Sequence, residues 1–150
     1  MASDLRIRRA TGADRPRLAE IFLVVRRHAF PWIEAETFRL ADFKRETEGE
    51  TILLAEDDQA ILGFASVWEP DAFLHHLYVD PPAHRRGIGR RLIAEMSRLC
   101  AAPLELKCQT NNRAAIAFYR RLGFRPGDAP GDSGVSDIGP WVRFRAPSKG

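Results

Sequence analysis

The densest group of residues able to do chemistry is the stretch AHRRGIGRRLI, residues 83–93, which contains four arginines and two glycines. It follows an apolar segment and precedes a helical pattern, which places it at the start of a helix. The first turn of a helix presents unpaired backbone N–H groups and the positive end of the helix dipole. Glycine lets an anion approach the backbone closely, and arginine matches phosphate geometry. The stretch therefore predicts a seat for a phosphate or pyrophosphate.

Known glycine-rich nucleotide motifs do not match this stretch. The dinucleotide-binding pattern GxGxxG requires a third glycine where Leu92 stands, and the GK[ST] ending of a P-loop is absent from the sequence. A ligand-free alternative is a solvated basic helix start whose glycines make a tight turn. From these residues alone, the phosphate seat and the plain turn both remain open.

Composition narrows the class of protein. The chain has 150 residues, a net charge of +3, 45% hydrophobic and 29% charged residues, which suits one domain over residues 1–150. The apolar run at 21–25 is too short to cross a membrane, and the N-terminus has no apolar core of the signal-peptide type. Two cysteines make no disulfide framework, and no Cys/His cluster has metal-ligand spacing. We expect a cytoplasmic, reduced and metal-free protein.

Hydrophobic periodicity predicts the elements that must position this stretch. Strands are predicted at 5–9, 51–55, 61–68, 73–79, 104–108 and 141–145. Helices are predicted at 14–28, 34–48, 86–100 and 112–122, the last capped by Asn111 or Asn112 and ended by Gly123. The composition of segment 127–140, which is rich in Gly, Asp, Pro and Ser, predicts a long mobile loop. Trp68 is predicted to lie in the core. This order predicts an α/β fold with a mixed sheet.

Two segments together resemble the GNAT acetyltransferase superfamily. LHHLYVDPPAHRRGIGRRLI, residues 74–93, is similar to its acyl-CoA-binding motif, in which [Q/R]xxGx[G/A] follows a strand and opens a helix. NNRAAIAFYRRLGF, residues 111–124, resembles its second motif, an Asn-led helix with a tyrosine, closed by a glycine and an aromatic residue. One departure is His84, which stands where the family usually has Gln or Arg.

The resemblance implies a mixed, mostly antiparallel, splayed central sheet flanked by helices. It also implies transfer of an acetyl group from acetyl-CoA to an amine by direct attack on the thioester. The strand residues Leu77, Tyr78 and Val79 would run along the pantetheine arm, and Asn112 would contact or support it. The pyrophosphate would lie on backbone N–H groups of a loop whose residues are Arg85, Arg86, Gly87, Ile88, Gly89 and Arg90.

Acetyl transfer needs a proton donor for the leaving thiolate and an acceptor for the proton of the amine. The resemblance places Tyr119 beside the thioester sulfur, where a phenol of pKa ~10 can donate a proton at neutral pH. The helical pattern by itself favours Tyr119 as a packing residue. For the general base the candidates are His75, Glu69 and a water chain without a dedicated side chain. Alternation along the strand predicts that His75 shares a face with Leu77 and that His76 points to the opposite face.

The acceptor and partners stay open at this level. The first two helices and the last strands should supply the acceptor site, where Phe30, Trp32 and Phe38 either line an apolar pocket or pack in the core. The acids of 127–140 either attract a cationic acceptor or belong to a flexible hairpin connection. The acceptor is a small-molecule amine or a protein amine, and exposed strand edges permit a homodimer. The main alternative function is an acyl-CoA sensor without efficient catalysis.

Nucleic acid and membrane are not expected as partners. A nucleic-acid surface would interleave aromatic residues with the arginines of 85–91, and this patch has none. The 20 acidic residues dilute the positive charge over the rest of the chain.

Overall fold

An eight-stranded sheet forms the centre of the protein. The computed structural model describes residues 4–148, so the ends of the expected 1–150 domain lie outside the described residues. The strand order is β1-β2-β3-β4-β5-β8-β6, with β7 also paired to β8. Among the described strands only the β4–β5 pair is parallel. The strands are β1 (Arg6–Arg9), β2 (Thr51–Glu56), β3 (Ile61–Trp68), β4 (Phe73–Val79), β5 (Glu105–Gln109), β6 (Arg125–Pro126), β7 (Ser133–Ser136) and β8 (Gly139–Arg145).

Four α-helices cover the two faces of the sheet. They are α1 (Arg15–Ala29), α2 (Asp42–Glu46), α3 (Ile88–Leu99) and α4 (Arg113–Arg121). The expected mixed, mostly antiparallel sheet flanked by helices is confirmed. Within residues 4–148, no helix combines the length and the apolar composition that crossing a bilayer requires.

The core lies on both sides of the sheet because neighbouring strand residues face opposite ways. Leu54 of β2 packs with Phe22 of α1 on one face. Its neighbour Leu53 packs with Leu92 and the other apolar residues of α3 on the opposite face. The amphipathic pattern of α3, with buried residues at 88, 92, 93 and 96, therefore places the start of that helix against the sheet.

Truncation of the α3 anchor should destabilise the fold strongly. Leu92 is 0% exposed, so Leu92→Ala leaves a cavity under α3, and we expect the free energy of unfolding to fall by about 2–5 kcal/mol. Leu40→Ala removes the same atoms from a side chain that is 53% exposed, and should change stability by less than about 0.5 kcal/mol. Denaturant unfolding of both variants measures the difference, and equal effects would contradict this packing.

The predicted helix at 34–48 is wrong over most of its length. A 3-10 turn spans Ala35–Thr37, Phe38 is extended, and only α2 is α-helical. Tertiary contacts explain the break. The ring of Phe38 is buried under the Arg26 guanidinium, and the Phe38 carbonyl accepts a hydrogen bond from Arg27 Nη2 at 2.9 Å.

The predicted mobile loop at 127–140 is also wrong, because β7 and β8 form a hairpin there. Its turn ends at Gly139, whose φ of +122° strongly favours glycine. Asp132 is buried and binds Arg145 through both carboxylate oxygens, so it is a structural acid. Trp68, predicted in the core, is 43% exposed because it ends β3 and lies over Gly49.

The sheet splays open between β4 and β5. These strands share one register pair, Phe73 with Glu105, and separate beyond it. Both strands are paired on their outer sides, β4 with β3 and β5 with β8. The gap between them is the feature around which the candidate site is built.

Candidate active site

A cavity of about 510 Å³ occupies the gap between β4 and β5. Helices α1 and α2 close one side of it, and α4 and the β7–β8 hairpin close the other. Apolar walls come from Phe30, Leu77 and Tyr119 among others. The lining also carries six basic, acidic or imidazole side chains, which are Arg26, Glu46, His75, His76, Lys107 and Asp137.

The predicted anion seat lies at the start of α3. Arg85 and Gly87 have left-handed backbones, with φ of +69° and +74°, and Gly87 is the N-cap residue. A backbone that alternates between positive and negative φ, as it does over residues 85–87, directs successive N–H groups toward one concave surface, which suits an anion. Arg86 pairs with Asp57 at 3.3 Å, whereas Arg85 and Arg90 form no ion pair within residues 4–148.

The anion seat and the cavity are in contact through Gly89. A Cβ added at Gly89 would lie 3.1 Å from Cζ of Phe118 and 3.9 Å from Cδ2 of Leu77. Leu77 lines the cavity, so the first turn of α3 touches its wall. The side chain of Ile88 is buried, so only its backbone can bind an anion. The carbonyl oxygen of Val79 lies 3.0 Å from His84 Nε2.

Helix α4 brings two predicted residues to the cavity. Asn112 is its N-cap, and its side-chain oxygen accepts a hydrogen bond from the Ala115 N–H at 3.1 Å. Tyr119 lies about two helical turns further along α4, with its ring centroid 5.2 Å from that of Phe118 and 5.5 Å from that of Phe124. Burial raises the pKa of Tyr119, so its phenol is protonated at neutral pH.

Burial also governs two neighbouring groups in the same cavity. It raises the pKa of the Cys108 thiol to about 11 and that of Tyr78 to about 12. A charge that develops on sulfur in these surroundings is therefore poorly solvated by the protein.

A β-bulge turns both histidines of β4 into the cavity. Ser66 pairs with His76 and Val67 with Leu74, so His75 has no partner on β3. The imidazole rings lie with their centroids 3.9 Å apart, and both line the cavity. The prediction that His76 points away from His75 was wrong, because the extra residue of a bulge breaks the alternation of the strand.

Three polar side chains surround these imidazoles. His75 Nδ1 lies 2.9 Å from Oε2 of Glu50, and His75 Nε2 lies 3.8 Å from Oε2 of Glu46. His76 Nδ1 bonds the hydroxyl of Ser66 at 2.8 Å. The sequence offered no signal for Glu46 and Glu50, because both lie far from the histidines along the chain.

The two imidazoles differ in charge. Burial lowers the pKa of His75, but its hydrogen bond to Glu50 and the charges of Glu50 and Glu46 outweigh burial and leave that pKa above 6.5. Burial, followed by the nearby charges of His75 and Arg26, lowers the pKa of His76 well below 6.5. His76 is therefore neutral at neutral pH.

The same cluster has the donor set of a metal site. Glu46, His75 and His76 place potential ligand atoms within 4.8 Å of one another. Imidazole and carboxylate ligands suit transition metals, and they equally suit acid–base chemistry.

Other predicted site residues fall in different places. Glu69 does not line the cavity, and its carboxylate accepts a hydrogen bond from the Thr51 hydroxyl. Phe30 lines the cavity, Phe38 packs beneath Arg26, and Trp32 is 41% exposed. The Trp32 indole donates to the Ile138 carbonyl at 2.9 Å, which ties the segment after α1 to the β7–β8 turn across the cavity.

Comparisons with known proteins agree with this architecture. The sequence model of the Acetyltransferase (GNAT) family matches residues 16–124. A [ribosomal protein bS18]-alanine N-acetyltransferase of Salmonella typhimurium is 36% identical over 107 residues, 66% of this chain and 68% of that protein. A peptidyl-lysine N-acetyltransferase, YiaC of Escherichia coli, is 31% identical over 121 residues, 79% of this chain and 82% of that protein.

A solved structure shares the fold. The PaiA N-acetyltransferase of Thermoplasma acidophilum, in complex with coenzyme A, superposes with a TM-score of 0.70 at 18% identity, covering 95% of this chain and 99% of that one. The family match spans most of the chain, and its named relatives are N-acetyltransferases. This chain belongs to the GNAT family and is an acyl-CoA-dependent N-acetyltransferase.

Proposed function

We propose that this protein transfers the acetyl group of acetyl-CoA to a primary amine of a polypeptide, by direct attack of the amine on the thioester. The observation that carries the proposal is the continuity of the site. The first turn of α3 touches the cavity wall, and the cavity holds a protonated phenol and a carboxylate-bound imidazole. A polypeptide acceptor is proposed because the named relatives act on a ribosomal protein alanine and on peptidyl-lysine.

The gap between β4 and β5 suits the extended pantetheine arm. Beyond Phe73 and Glu105 the inner edges of both strands are free of each other, and an extended ligand can add to such an edge as a further strand. In the proposal, backbone groups of Leu77 and Val79 bind the arm, and Tyr78 lies between them on the same strand. The N–H groups of residues 85–90 bind the pyrophosphate, helped by the dipole of α3.

The acceptor reaches the site as an ammonium ion of pKa ~10 and must lose a proton before it attacks. The Glu46 carboxylate attracts the cation, and neutral His75 accepts the proton through Nε2, which lies on the Glu46 side of its ring. A raised pKa makes His75 a stronger base. It also means that His75 is mostly neutral only when the pH is above this raised pKa.

Collapse of the tetrahedral intermediate expels a thiolate. A backbone N–H near Leu77 stabilises the oxyanion, and Tyr119 donates its phenolic proton to the leaving sulfur. The second proton that the attacking nitrogen loses as the amide forms restores the Tyr119 phenol through solvent. Proton transfer from a phenol of raised pKa to an ordinary thiolate is uphill. The cavity reduces that difference, since the same surroundings raise the pKa of the Cys108 thiol to about 11.

The proposal is tested by release of CoA thiol with three acceptors at saturating acetyl-CoA. They are a lysine-free peptide with a free N-terminus, an N-terminally blocked peptide with one internal lysine, and a small free amine. We expect saturable release and a matching acetylated product with at least one peptide, at a higher kcat/KM than with the small amine. Cofactor binding without acetylation of any amine would instead support the sensor alternative.

A further inference from the structure

We propose that Glu50 is a positioning residue that holds His75 in the tautomer and orientation of a general base. The inference rests on the proposed function and adds a residue that does not itself line the cavity. The pair joins the residue preceding β2 to the bulge of β4.

The contacts define the tautomer. An Nδ1–H donated to Oε2 of Glu50 at 2.9 Å leaves Nε2 as the acceptor atom of His75. The Glu50 side chain is only 8% exposed, whereas that of His75 is 36% exposed and lines the cavity. The carboxylate therefore lies behind the imidazole, where it can orient the ring without blocking an acceptor.

The second oxygen of Glu50 argues against a purely structural role for the carboxylate. Oε1 is buried and has no hydrogen-bond partner in the described part of the chain. The nearest imidazole nitrogen, Nδ1 of His76 at 3.8 Å, already bonds Ser66. A buried carboxylate oxygen without a donor costs free energy, so a purely structural role would be served better by a neutral residue.

The charge around His75 comes from several elements. Residues that act on it or line the same cavity are Arg26 of α1, Glu46 of α2, His76 of β4, Lys107 of β5 and Asp137 of the β7–β8 turn, in addition to Glu50. The Glu50 carboxylate lies 2.9 Å from the ring and the Glu46 carboxylate 3.8 Å from it, so removal of Glu50 should alter the base more than any other single change in this set.

The test is Glu50→Gln, with Glu48→Gln as the matched control because Glu48 is exposed two residues away. The carboxylate favours the protonated imidazole, so its loss lowers the pKa of His75. The acid limb of the kcat/KM profile for the acceptor should therefore move to lower pH. We also expect kcat to fall by about 10-fold or more, with acetyl-CoA affinity unchanged. Glu48→Gln should leave both quantities as in the wild type.

A second readout does not depend on activity. Nitrogen-15 NMR of the imidazole should show the Nδ1–H tautomer of His75 in the wild type and the Nε2–H tautomer in Glu50→Gln. Glu50→Asp keeps a carboxylate, so the acid limb of its kcat/KM profile should lie between those of the wild type and Glu50→Gln. Thermal unfolding and acetyl-CoA binding establish that each variant is folded.

The outcomes separate the two proposals. The positioning role is overturned if folded Glu50→Gln keeps the wild-type acid limb of the kcat/KM profile and the wild-type tautomer of His75, while His75→Gln loses that limb. The proposed function then stays intact. A limb that persists in His75→Gln removes the base itself and overturns the inference. Activity of the wild type that is lost on chelation and restored by a transition metal also overturns it, because the cluster would then act as a metal site. Wild-type protein that acetylates no amine contradicts the proposed function directly.

Discussion

Gly89→Arg should abolish acetyl-CoA binding even though it adds a positive charge to a site proposed for an anion. A Cβ at this position already lies 3.1 Å from the Phe118 ring, so a long side chain has no room on that side and should displace the first turn of α3 or cover the N–H groups proposed for the pyrophosphate. Close approach of the backbone, rather than net charge, should therefore decide binding. Calorimetric titration should show a Kd raised at least about 100-fold.

Gly12→Arg is the matched control for this substitution. It adds the same side chain in a turn before α1, where a Cβ would meet nothing within 4 Å. If attraction by charge dominated, both variants would bind acetyl-CoA as well as the wild type or better. Retained affinity in folded Gly89→Arg would remove the anion seat from α3 and with it the mode of cofactor binding proposed above.

Tyr119→Phe should reduce kcat by about 10²–10⁴-fold, the usual contribution of a general acid, and leave the Kd for acetyl-CoA within about twofold. The ring contacts with Phe118 and Phe124 survive the change, so folding should be preserved. Steady-state kinetics and cofactor titration of the same preparation separate the two quantities.

The chain offers an informative comparison, because it has only two tyrosines and both line the cavity. Tyr78→Phe also removes a buried hydroxyl, but it leaves the backbone of β4, which is the part proposed to bind pantetheine, unchanged. Its decrease in kcat should be much smaller than that of Tyr119→Phe. Equal decreases in the two variants would mean that loss of any buried hydroxyl slows the reaction, and Tyr119 would no longer be assigned as the acid.

Elements with strong local signals were predicted close to their observed bounds. Helix α3 begins at Ile88 and α4 at Arg113, two and one residues after their predicted starts. Asn112 caps α4 through its side chain, and Gly123 follows that helix with a φ of +92°. In each case the deciding interaction joins residues a few positions apart, so the amino-acid sequence contains it directly.

Elements that depend on distant partners were predicted wrongly. The segment 34–48 has helical spacing, but the contacts of Phe38 with α1 interrupt it. The segment 127–140 has the composition of a loop, but Asp132 and β8 organise it as a hairpin. Burial and long-range ion pairs outweigh local preference in both places.

The same division applies to the candidate site. The sequence by itself determined the glycine–arginine turn before α3, the Asn-led helix with Tyr119, and a strand at 73–79 that carries His75 and His76. Only the tertiary structure decided that the bulge of β4 turns His75 and His76 to one side and that Glu46 and Glu50 lie beside them. The physical reason is that a motif is a local arrangement of backbone. The charge and orientation of a buried imidazole, by contrast, depend on groups that the folding of the whole chain brings together.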